Sequence, residues 1–220
     1  MFKNLFFIIL LISLCFKTYS QEETEAFTPK DWTISSYLFS QPYVYQNNNF
    51  PTLFTGLSVK RYFGPIGLRL GYERIVNKGV LNYQGDSLSV TSEENFLTEN
   101  AFRIGTEYRH TYYDIISFHL FLDYIINPFD GKYDMFNINQ EKLVEANIDG
   151  LSQGVILGMG FDWILTEYLS LGLETRVDFL NNKHDLSIVN HEKGYSVNYI
   201  ETNSDIQLKL LGNLTLNYHF

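Results

Sequence analysis

Charged residues recur at alternate positions along several apolar stretches of this 220-residue chain. In "IGLRLGYERIV", for example, Arg69 and Glu73 alternate with Leu68, Leu70 and Tyr72. Successive side chains of a β-strand point to opposite faces, so these charges share one face. Over the whole chain this reading collects five basic and six acidic residues: Arg69, Arg103, Arg109, Arg176, Lys209, Glu73, Glu107, Asp123, Asp162, Glu174 and Asp178.

Two kinds of chemistry suit such a set of charges if the strands enclose a narrow space. The charges can relay protons or small ions along the space, or they can pair with one another and fill it. Buried charges are tolerated only when they are paired and hydrogen-bonded. The near balance of signs therefore favours a structural ion-pair network, and we predict that these residues form one in the lumen of a barrel.

A possible acyl-transfer group lies in "KHDLS", where His184, Asp185 and Ser187 supply a base, an acid and a hydroxyl. A Ser-His-Asp set can run acyl chemistry when the side chains meet. Adjacent residues of a strand point to opposite faces, however, so His184 and Asp185 would be separated. The sequence therefore predicts no catalytic residue, and a lipid A acyl-modifying enzyme with its site at the barrel rim remains the alternative.

No metal or cofactor site is predicted. Asp130 to Asp134, "DGKYD", lacks the oxygen-ligand spacing of an EF-hand loop. Cys15 is the only cysteine and lies in the first twenty residues, so no thiolate site is expected downstream. Asn213 begins a glycosylation pattern, "NLT", but it falls within a predicted membrane strand.

The elements that would position the charges are strands. Period-two alternation recurs in eight segments, which begin near residues 32, 53, 66, 102, 116, 154, 169 and 208. In the first segment, "WTISSYLFS", the phase is ambiguous, because either Ile34 and Leu38 or Tyr37 and Phe39 could face outward. No apolar run after the first twenty residues is long enough for a membrane-spanning helix.

The connections alternate between short and long. Gly64 and Pro65, residues 110–114 and residues 166–168 are short links, whereas residues 41–52, 77–96, 127–152 and 181–205 are long ones. Short turns at one end and long loops at the other are typical of outer-membrane barrels. We expect residues 77–96 and 181–205 to form hairpins that extend the sheet. The loop 127–152 is predicted to hold a short helix around Glu141 to Ala146, and a ten-stranded barrel is the alternative if this loop pairs.

The alternation alone does not say which face is inside, because a soluble barrel also alternates. Glycines on the charged faces favour a charged interior, since glycine weakens a solvent-facing strand but leaves room in a lumen for an opposing side chain. Aromatic residues gather near the short turns and predict an interfacial girdle: Trp32, Tyr62, Phe63, Tyr112, Tyr113, Trp163, Tyr168 and Phe220. A soluble periplasmic β-barrel that binds a small apolar ligand is the alternative.

Residues 1–20 have a positive start at Lys3 and an apolar core from Leu5 to Phe16, which predicts an export signal. Residues 21–31 form an acidic leader, and residues 32–220 form the barrel. Without Lys3 and Lys17 the 16 basic residues fall to 14 against 25 acidic ones, a net charge of −11. No basic stripe is present, which argues against a nucleic-acid partner.

The export signal, the eight alternating strands and the terminal "LTLNYHF" resemble the small eight-stranded outer-membrane β-barrel proteins of Gram-negative bacteria, such as OmpA and OmpX. Gln21 after the predicted cleavage site and the abundance of Phe, Tyr and Asn resemble the PorT-like barrels of Bacteroidetes. The resemblance covers residues 32–220 and implies outer-membrane lipid and the barrel-assembly machinery as partners. It also implies that Tyr218 and Phe220 belong to the strand that this machinery reads.

The expected fold is therefore an all-β, eight-stranded antiparallel up-and-down transmembrane β-barrel with short periplasmic turns and long extracellular loops. The expected role is non-enzymatic. The barrel would act structurally or bind an extracellular or envelope protein through its loops, with aromatic candidates Tyr83, Tyr133, Phe136, Tyr195 and Tyr199.

Overall fold

The computed structural model describes residues 30–41, 52–82, 92–112, 115–137, 139 and 141–220. They form eight antiparallel strands in one closed barrel, as predicted. No helix in the described part of the chain is long and apolar enough to cross a membrane. The strands are β1 (Trp32–Ser40), β2 (Thr52–Phe63), β3 (Ile66–Asn82), β4 (Ser92–Tyr112), β5 (Ile116–Phe136), β6 (Lys142–Thr166), β7 (Leu169–Asn190) and β8 (Tyr195–His219).

Each strand pairs with its neighbours in sequence, and β1 pairs with β8 to close the barrel. Trp32 and Phe220 exchange both backbone hydrogen bonds, with N···O distances of 3.1 and 3.0 Å. The predicted pairing of Phe63 with Ile66 across Gly64 and Pro65 is confirmed. The register of β3 and β4 runs without a shift to Asn82 opposite Ser92, so an odd number of residues, 83–91, separates the two strands.

The ambiguous phase of β1 is resolved by a bulge between Tyr37 and Phe39. Ile34 faces outward and is 40% exposed, whereas Tyr37 points inward and is only 1% exposed. A bulge lets a strand change its pairing without reversing its direction. The inward Tyr37 thereby becomes part of the barrel interior.

The prediction of a loop over residues 127–152 is wrong. β5 continues to Phe136 and β6 begins at Lys142, so this segment is paired strand and residues 141–146 contain no helix. The segment lengthens two existing strands rather than adding two new ones, and the barrel therefore stays eight-stranded. The hairpin predicted over residues 181–205 is confirmed, with its turn at residues 191–194. The Gly-Asp turn predicted near Gly85 and the proposed export signal lie outside the described residues.

The two faces of the barrel near the short turns are inverted relative to a soluble protein. Leu57, Leu70, Ile104 and Leu157 point outward and are 50–59% exposed, whereas the charged residues that alternate with them are buried. An outward apolar band of this kind requires lipid around it. Tyr62 is a correction to the predicted girdle, because it points inward and is 3% exposed.

The apolar band ends at a polar belt on the outer surface, formed by Asn100, Gln153, Asn181 and Ser204. Tyr72 donates a hydrogen bond to Asn100, Tyr124 donates one to Gln153, and Ser204 donates one to Asn181. A membrane-spanning strand needs only about 9–11 residues. β6 and β8 have 25 residues each, so both extend far beyond the belt.

Beyond the belt, six strands form an upper sheet made of residues 74–82, 92–99, 127–136, 142–152, 182–190 and 195–203. Here the two faces exchange character. The outer face carries Asp130, Lys132, Glu145, Asp149, Lys183 and Asp185, whereas the inner face carries Leu97, Phe129, Ile148, Leu186, Ile188 and Val197. Within the described residues, the second edges of β3 at 74–82 and of β8 at 195–211 pair with no strand.

Candidate functional site

The eleven charged residues collected from the sequence all lie inside the barrel. Their exposure ranges from 0% for Glu73 and Asp178 to 7% for Arg109. An eight-stranded barrel is just wide enough for side chains to fill its interior. The charges therefore meet across the axis, and strands β2 to β8 all contribute to the contacts.

Arg69 lies at the centre of the largest cluster. Its guanidinium is 2.9 Å from Glu107, 3.3 Å from Asp123 and 3.1 Å from Glu174. Lys60 is 2.9 Å from the same Glu107 oxygen. Carboxylates from β4, β5 and β7 thus converge on cations from β2 and β3, and this arrangement compensates the cost of removing each charge from water.

A second cluster lies on the side of the barrel next to β1. Arg103 donates to Glu73 and lies 3.9 Å from Asp123. Its guanidinium also covers the ring of Tyr37 at 4.6 Å. Arginine over an aromatic face gains a cation–π contact. The bulge in β1 therefore places a ring where it supports this ion pair.

A third cluster lies between β7 and β8. Asp178 is 3.2 Å from Arg176 and 2.8 Å from Lys209. Arg176 also donates to Asn213, and Asn213 donates to Glu174 at 2.7 Å. Asn213 thus links this cluster to the Arg69 cluster, and at 0% exposure it is not available for glycosylation.

Toward the short-turn end, hydrogen bonds from uncharged side chains and a cation–π contact hold the interior together. His219 joins three strands, because one ring nitrogen is 2.9 Å from Thr33 and the other is 2.8 Å from Ser170. Asn217 donates to Asp162 at 2.7 Å. Arg109 covers the ring of Tyr62 at 3.5 Å, and Tyr62 donates a hydrogen bond to Glu107.

A buried apolar cluster, called the plug below, lies among the charged clusters, since Arg69 covers the ring of Phe121 and Ile156 lies opposite both Asp123 and Asp178. Six buried side chains on the inner face form it: Ile75, Ala101, Phe121, Ile125, Ile156 and Leu180. A plug with no polar groups offers ions no ligands to replace their water. Together with the ion pairs it occupies part of the barrel interior.

The lumen network predicted from the sequence did not include Lys60, His119 and Asn213. Lys60 alternates with Val59 and could have been found by extending the same rule to β2, and His119 alternates with Phe118 and Leu120 in the same way. Asn213 is uncharged, so a search for charges passes over it. The plug was missed because apolar inward residues give no alternation signal against an apolar outer face.

Glu107, His119 and Glu174 are the one group of possible metal ligands found among the described residues, with donor atoms within 4.8 Å of one another. Their surroundings argue against a metal centre. Glu107 already faces Lys60 and Arg69, and Glu174 faces Arg69, so a divalent cation would meet two fixed positive charges at close range. The group fits an ion-pair centre better.

The three residues of the acyl-transfer candidate are not brought together. His184 lies on the inner face of β7 and is 3.5 Å from Glu201. Asp185 and Ser187 are odd-numbered residues of the same uninterrupted strand, whereas His184 is even-numbered. Asp185 and Ser187 therefore lie on the outer face. In the "DGKYD" segment, Asp134 pairs with Lys142 at 3.1 Å and with Lys132 at 3.5 Å, which leaves it neutralised by lysines.

The aromatic residues at the short-turn end form an outward group. Tyr218 lies between Tyr168 and Phe220, with ring centroids 6.4 and 5.9 Å apart. Tyr218 and Phe220 are 51% and 48% exposed. Trp32, Phe63 and Trp163 are also outward, so a girdle surrounds this end even though Tyr62 does not belong to it.

No family model and no curated protein matches this sequence. The structure is similar to that of a major outer membrane protein from Thermus thermophilus, with a TM-score of 0.51 at 13% identity over 86% of this chain and 97% of that one. CarO from Acinetobacter baumannii gives a TM-score of 0.46 at 13% identity, over 87% and 98% of the two chains. The first likeness shows the fold, that of an outer-membrane β-barrel, and nothing about activity. The narrower resemblance to PorT-like barrels stays a prediction.

Proposed function

We propose that the protein is an outer-membrane barrel of a Gram-negative bacterium with a closed lumen, and that its upper sheet binds a partner at the cell surface or within an envelope complex. The short turns would then lie in the periplasm. The exchange of faces at the polar belt carries the proposal. Below the belt the apolar residues face lipid, whereas above it they line the inner face of a sheet that stands in water.

The closed lumen is supported by the side chains that occupy it. Ion pairs centred on Arg69 and Asp178 are interleaved with the apolar plug, because Arg69 covers the ring of Phe121 and Ile156 lies opposite Asp178. A solute would have to break several buried ion pairs and displace the plug residues. Removing one partner of a buried pair costs about 3–5 kcal/mol. We therefore expect no conductance at the level of a porin.

The binding role is supported by the β7–β8 hairpin. On its inner face Tyr195, Val197 and Tyr199 are 43–47% exposed, and Ile200 on the outer face is 66% exposed. A strand with an unpaired edge can accept a strand from another protein through backbone hydrogen bonds. Tyrosine is also enriched among residues that anchor interfaces. Of the other aromatic candidates, Tyr133 and Phe136 are half-buried, and Tyr83 lies outside the described residues.

Site-specific photo-crosslinking in intact cells tests the binding role. A benzoylphenylalanine at position 199 should give a discrete adduct, because Tyr199 lies beside the edge of β8 that pairs with no other described strand. The same group at position 70 is the matched control, since Leu70 faces lipid and should give no protein adduct. A variant lacking residues 186–199 should lose binding of the partner identified from the adduct. Equal labelling at both positions, or full binding by the shortened variant, would contradict the role.

Single-channel recording in planar bilayers tests the closed lumen separately. The purified barrel should give no steady conductance, and a large stable one would contradict the proposal. The roles of Tyr218 and Phe220 as a signal for the barrel-assembly machinery, and of that machinery and lipid as partners, stay predictions.

A further inference from the structure

The open edge of β8 begins where its pairing with β1 stops. The two strands pair as far as Ser40 opposite Asn213. Gln41 then donates a backbone hydrogen bond to the carbonyl oxygen of Gly212 at 3.1 Å. Above Gly212, β8 pairs with no described strand on this side, although it stays paired with β7 up to Tyr195. The edge is therefore the upward continuation of an existing antiparallel ladder.

The backbone groups that face this edge belong to the even-numbered residues of β8. Phe220 exchanges both backbone hydrogen bonds with Trp32, and Gly212 accepts the one from Gln41. Within a strand, residues whose side chains share a face also direct their N–H and C=O groups to the same side. Odd-numbered side chains point inward both below and above Gly212, so the alternation is unbroken. Even-numbered residues from 198 to 206 thus direct their N–H and C=O groups to the open edge, where an incoming strand can bond them.

The outward apolar side chains along this edge lack a neighbour on one side. Leu216, where β1 is paired, is 37% exposed, whereas Leu208 and Leu210 beyond the end of β1 are 66% and 79% exposed. Ile200 and Ile206 are 66% and 75% exposed, and no outward apolar residue of β4 to β7 exceeds 59%. Apolar side chains on an added strand would cover these residues as cross-strand neighbours.

The inward side of the same edge is acidic. Residues 195–208 of β8 include Glu201 and Asp205 but no lysine or arginine. The side chain of Glu201 is 50% exposed and lies 3.5 Å from His184, and Asp205 accepts a hydrogen bond from Asn182. Opposite charges at directly opposed positions of two strands stabilise the pair. Basic residues four positions apart on an added strand would therefore match the two carboxylates.

We propose that the edge of β8 from Asn198 to Ile206 receives one extended segment of the partner, antiparallel to β8. Its apolar side chains would lie on the outward side, and its basic side chains would lie opposite Glu201 and Asp205. The antiparallel direction continues the ladder that β1 forms with β8. This inference rests on the binding role proposed above for the upper sheet, and it adds the chemistry of the partner.

The test uses the mature barrel in detergent micelles and the labelled peptide Val-Lys-Val-Thr-Val-Lys-Val-Thr-Val. In antiparallel order its residues oppose Ile206 to Asn198, so that its lysines oppose Asp205 and Glu201. Fluorescence anisotropy should show saturable binding. The same peptide with glutamate in place of both lysines should bind at least about tenfold more weakly, because like charges would then be opposed.

Backbone methylation of the peptide tests the strand pairing itself. The N–H groups of the valines would face β8, whereas those of the threonines would point away from it. N-methylation of the three central valines should abolish binding, and N-methylation of the two threonines should leave it intact. Equal effects of the two modifications would overturn the proposal.

A pair of double variants tests the charge matching. Glu201→Gln/Asp205→Asn should weaken binding of the lysine peptide by about three- to tenfold. Asp130→Asn/Asp149→Asn is the matched control, because it removes the same charge from exposed outer positions of β5 and β6, which have strands on both sides. The control should bind as the unchanged barrel does, and the mobility of unheated samples in gels checks that both variants fold. Equal weakening by the two variants would contradict the charge matching.

Amide hydrogen exchange locates the bound peptide. The amides of Ile200, Thr202 and Ser204 should exchange more slowly when the lysine peptide is present, and equal protection without it would mean that the edge is already covered. If the peptide fails while position 199 still gives its discrete adduct in cells, the binding role stands and the strand chemistry is rejected. Failure of both experiments would reject both proposals.

Discussion

Phe121 on β5 lies directly opposite Gly158 on β6, and its ring fills the space that a side chain at position 158 would need. Arg69 covers the ring at 4.1 Å and holds it in place. The glycine therefore makes room for a ring that supports the central cation. Gly67 opposite Tyr62 and Gly160 opposite His119 repeat the arrangement, which explains why glycines accompany the charged faces in the sequence.

Gly158→Ala should destabilise the barrel by about 1–3 kcal/mol, because the added methyl group must displace a ring that cannot move without also moving Arg69. Urea unfolding in lipid vesicles, followed by the mobility of unheated samples in gels, measures the change. The double variant Phe121→Ala/Gly158→Ala is the control. The cost of the alanine at position 158 should fall when Phe121 is absent, and additive costs would show that the two residues do not interact.

Arg69→Met should cost about 3–5 kcal/mol, because it leaves Glu107, Asp123 and Glu174 facing one another without their shared cation. The same urea unfolding experiment measures the loss. Arg61→Met is the matched comparison and should cost at most about 1 kcal/mol, since Arg61 is exposed and lies over the rings of Trp32 and Phe63. Similar losses in both variants would mean that the buried network contributes little.

Glu145 lies in the upper sheet, and its pKa is lowered from the usual 4.5 to about 2, chiefly by the hydrogen bond from Lys142 and then by those from Asn147 and Lys132. A carboxyl group whose pKa is lowered by folding stabilises the folded state at pH values above its pKa in the unfolded chain. This contribution is then lost as the pH falls through about 2. Lys142→Ala should move the pKa of Glu145 back toward 4.5, as measured by the ¹³C shift of the carboxyl group.

Lys132→Ala is the comparison for that titration. Lys132 is 3.3 Å from Glu145, but it is 44% exposed and lowers the pKa of Glu145 less than Lys142 and Asn147 do, so the pKa should rise less than in Lys142→Ala. If the pKa of Glu145 rose more in Lys132→Ala than in Lys142→Ala, then Lys132 and not Lys142 would donate the main hydrogen bond to Glu145.

Replacing residues 186–199 with Asn-Gly should leave the barrel folded. Asp185 pairs with Ile200, so a two-residue turn between them preserves the register. The removed residues lie beyond the polar belt and contribute nothing to the ion pairs or to the plug. Unheated samples should still show the altered gel mobility of a folded barrel, and loss of that mobility would mean that the hairpin is needed for assembly.

The sequence alone predicted the strands and their inward and outward residues, because a strand has a period of two and each face shows its surroundings directly. Turn residues and the alternation of inward and outward positions predicted the pairing of Phe63 with Ile66. They also predicted the hairpin around residues 191–194. The prediction failed at residues 141–146, where a polar, weakly patterned stretch gave no strand signal. Pairing with β5 and β7 nevertheless makes this stretch a strand.

Only the tertiary structure decided which charges meet. Arg69 contacts residues from β4, β5 and β7, and these contacts depend on the register of every strand pair between them. The exchange of faces at the polar belt also required the closed barrel. Alternation is a local property of the chain, whereas distances across a barrel are set by the sum of all its registers.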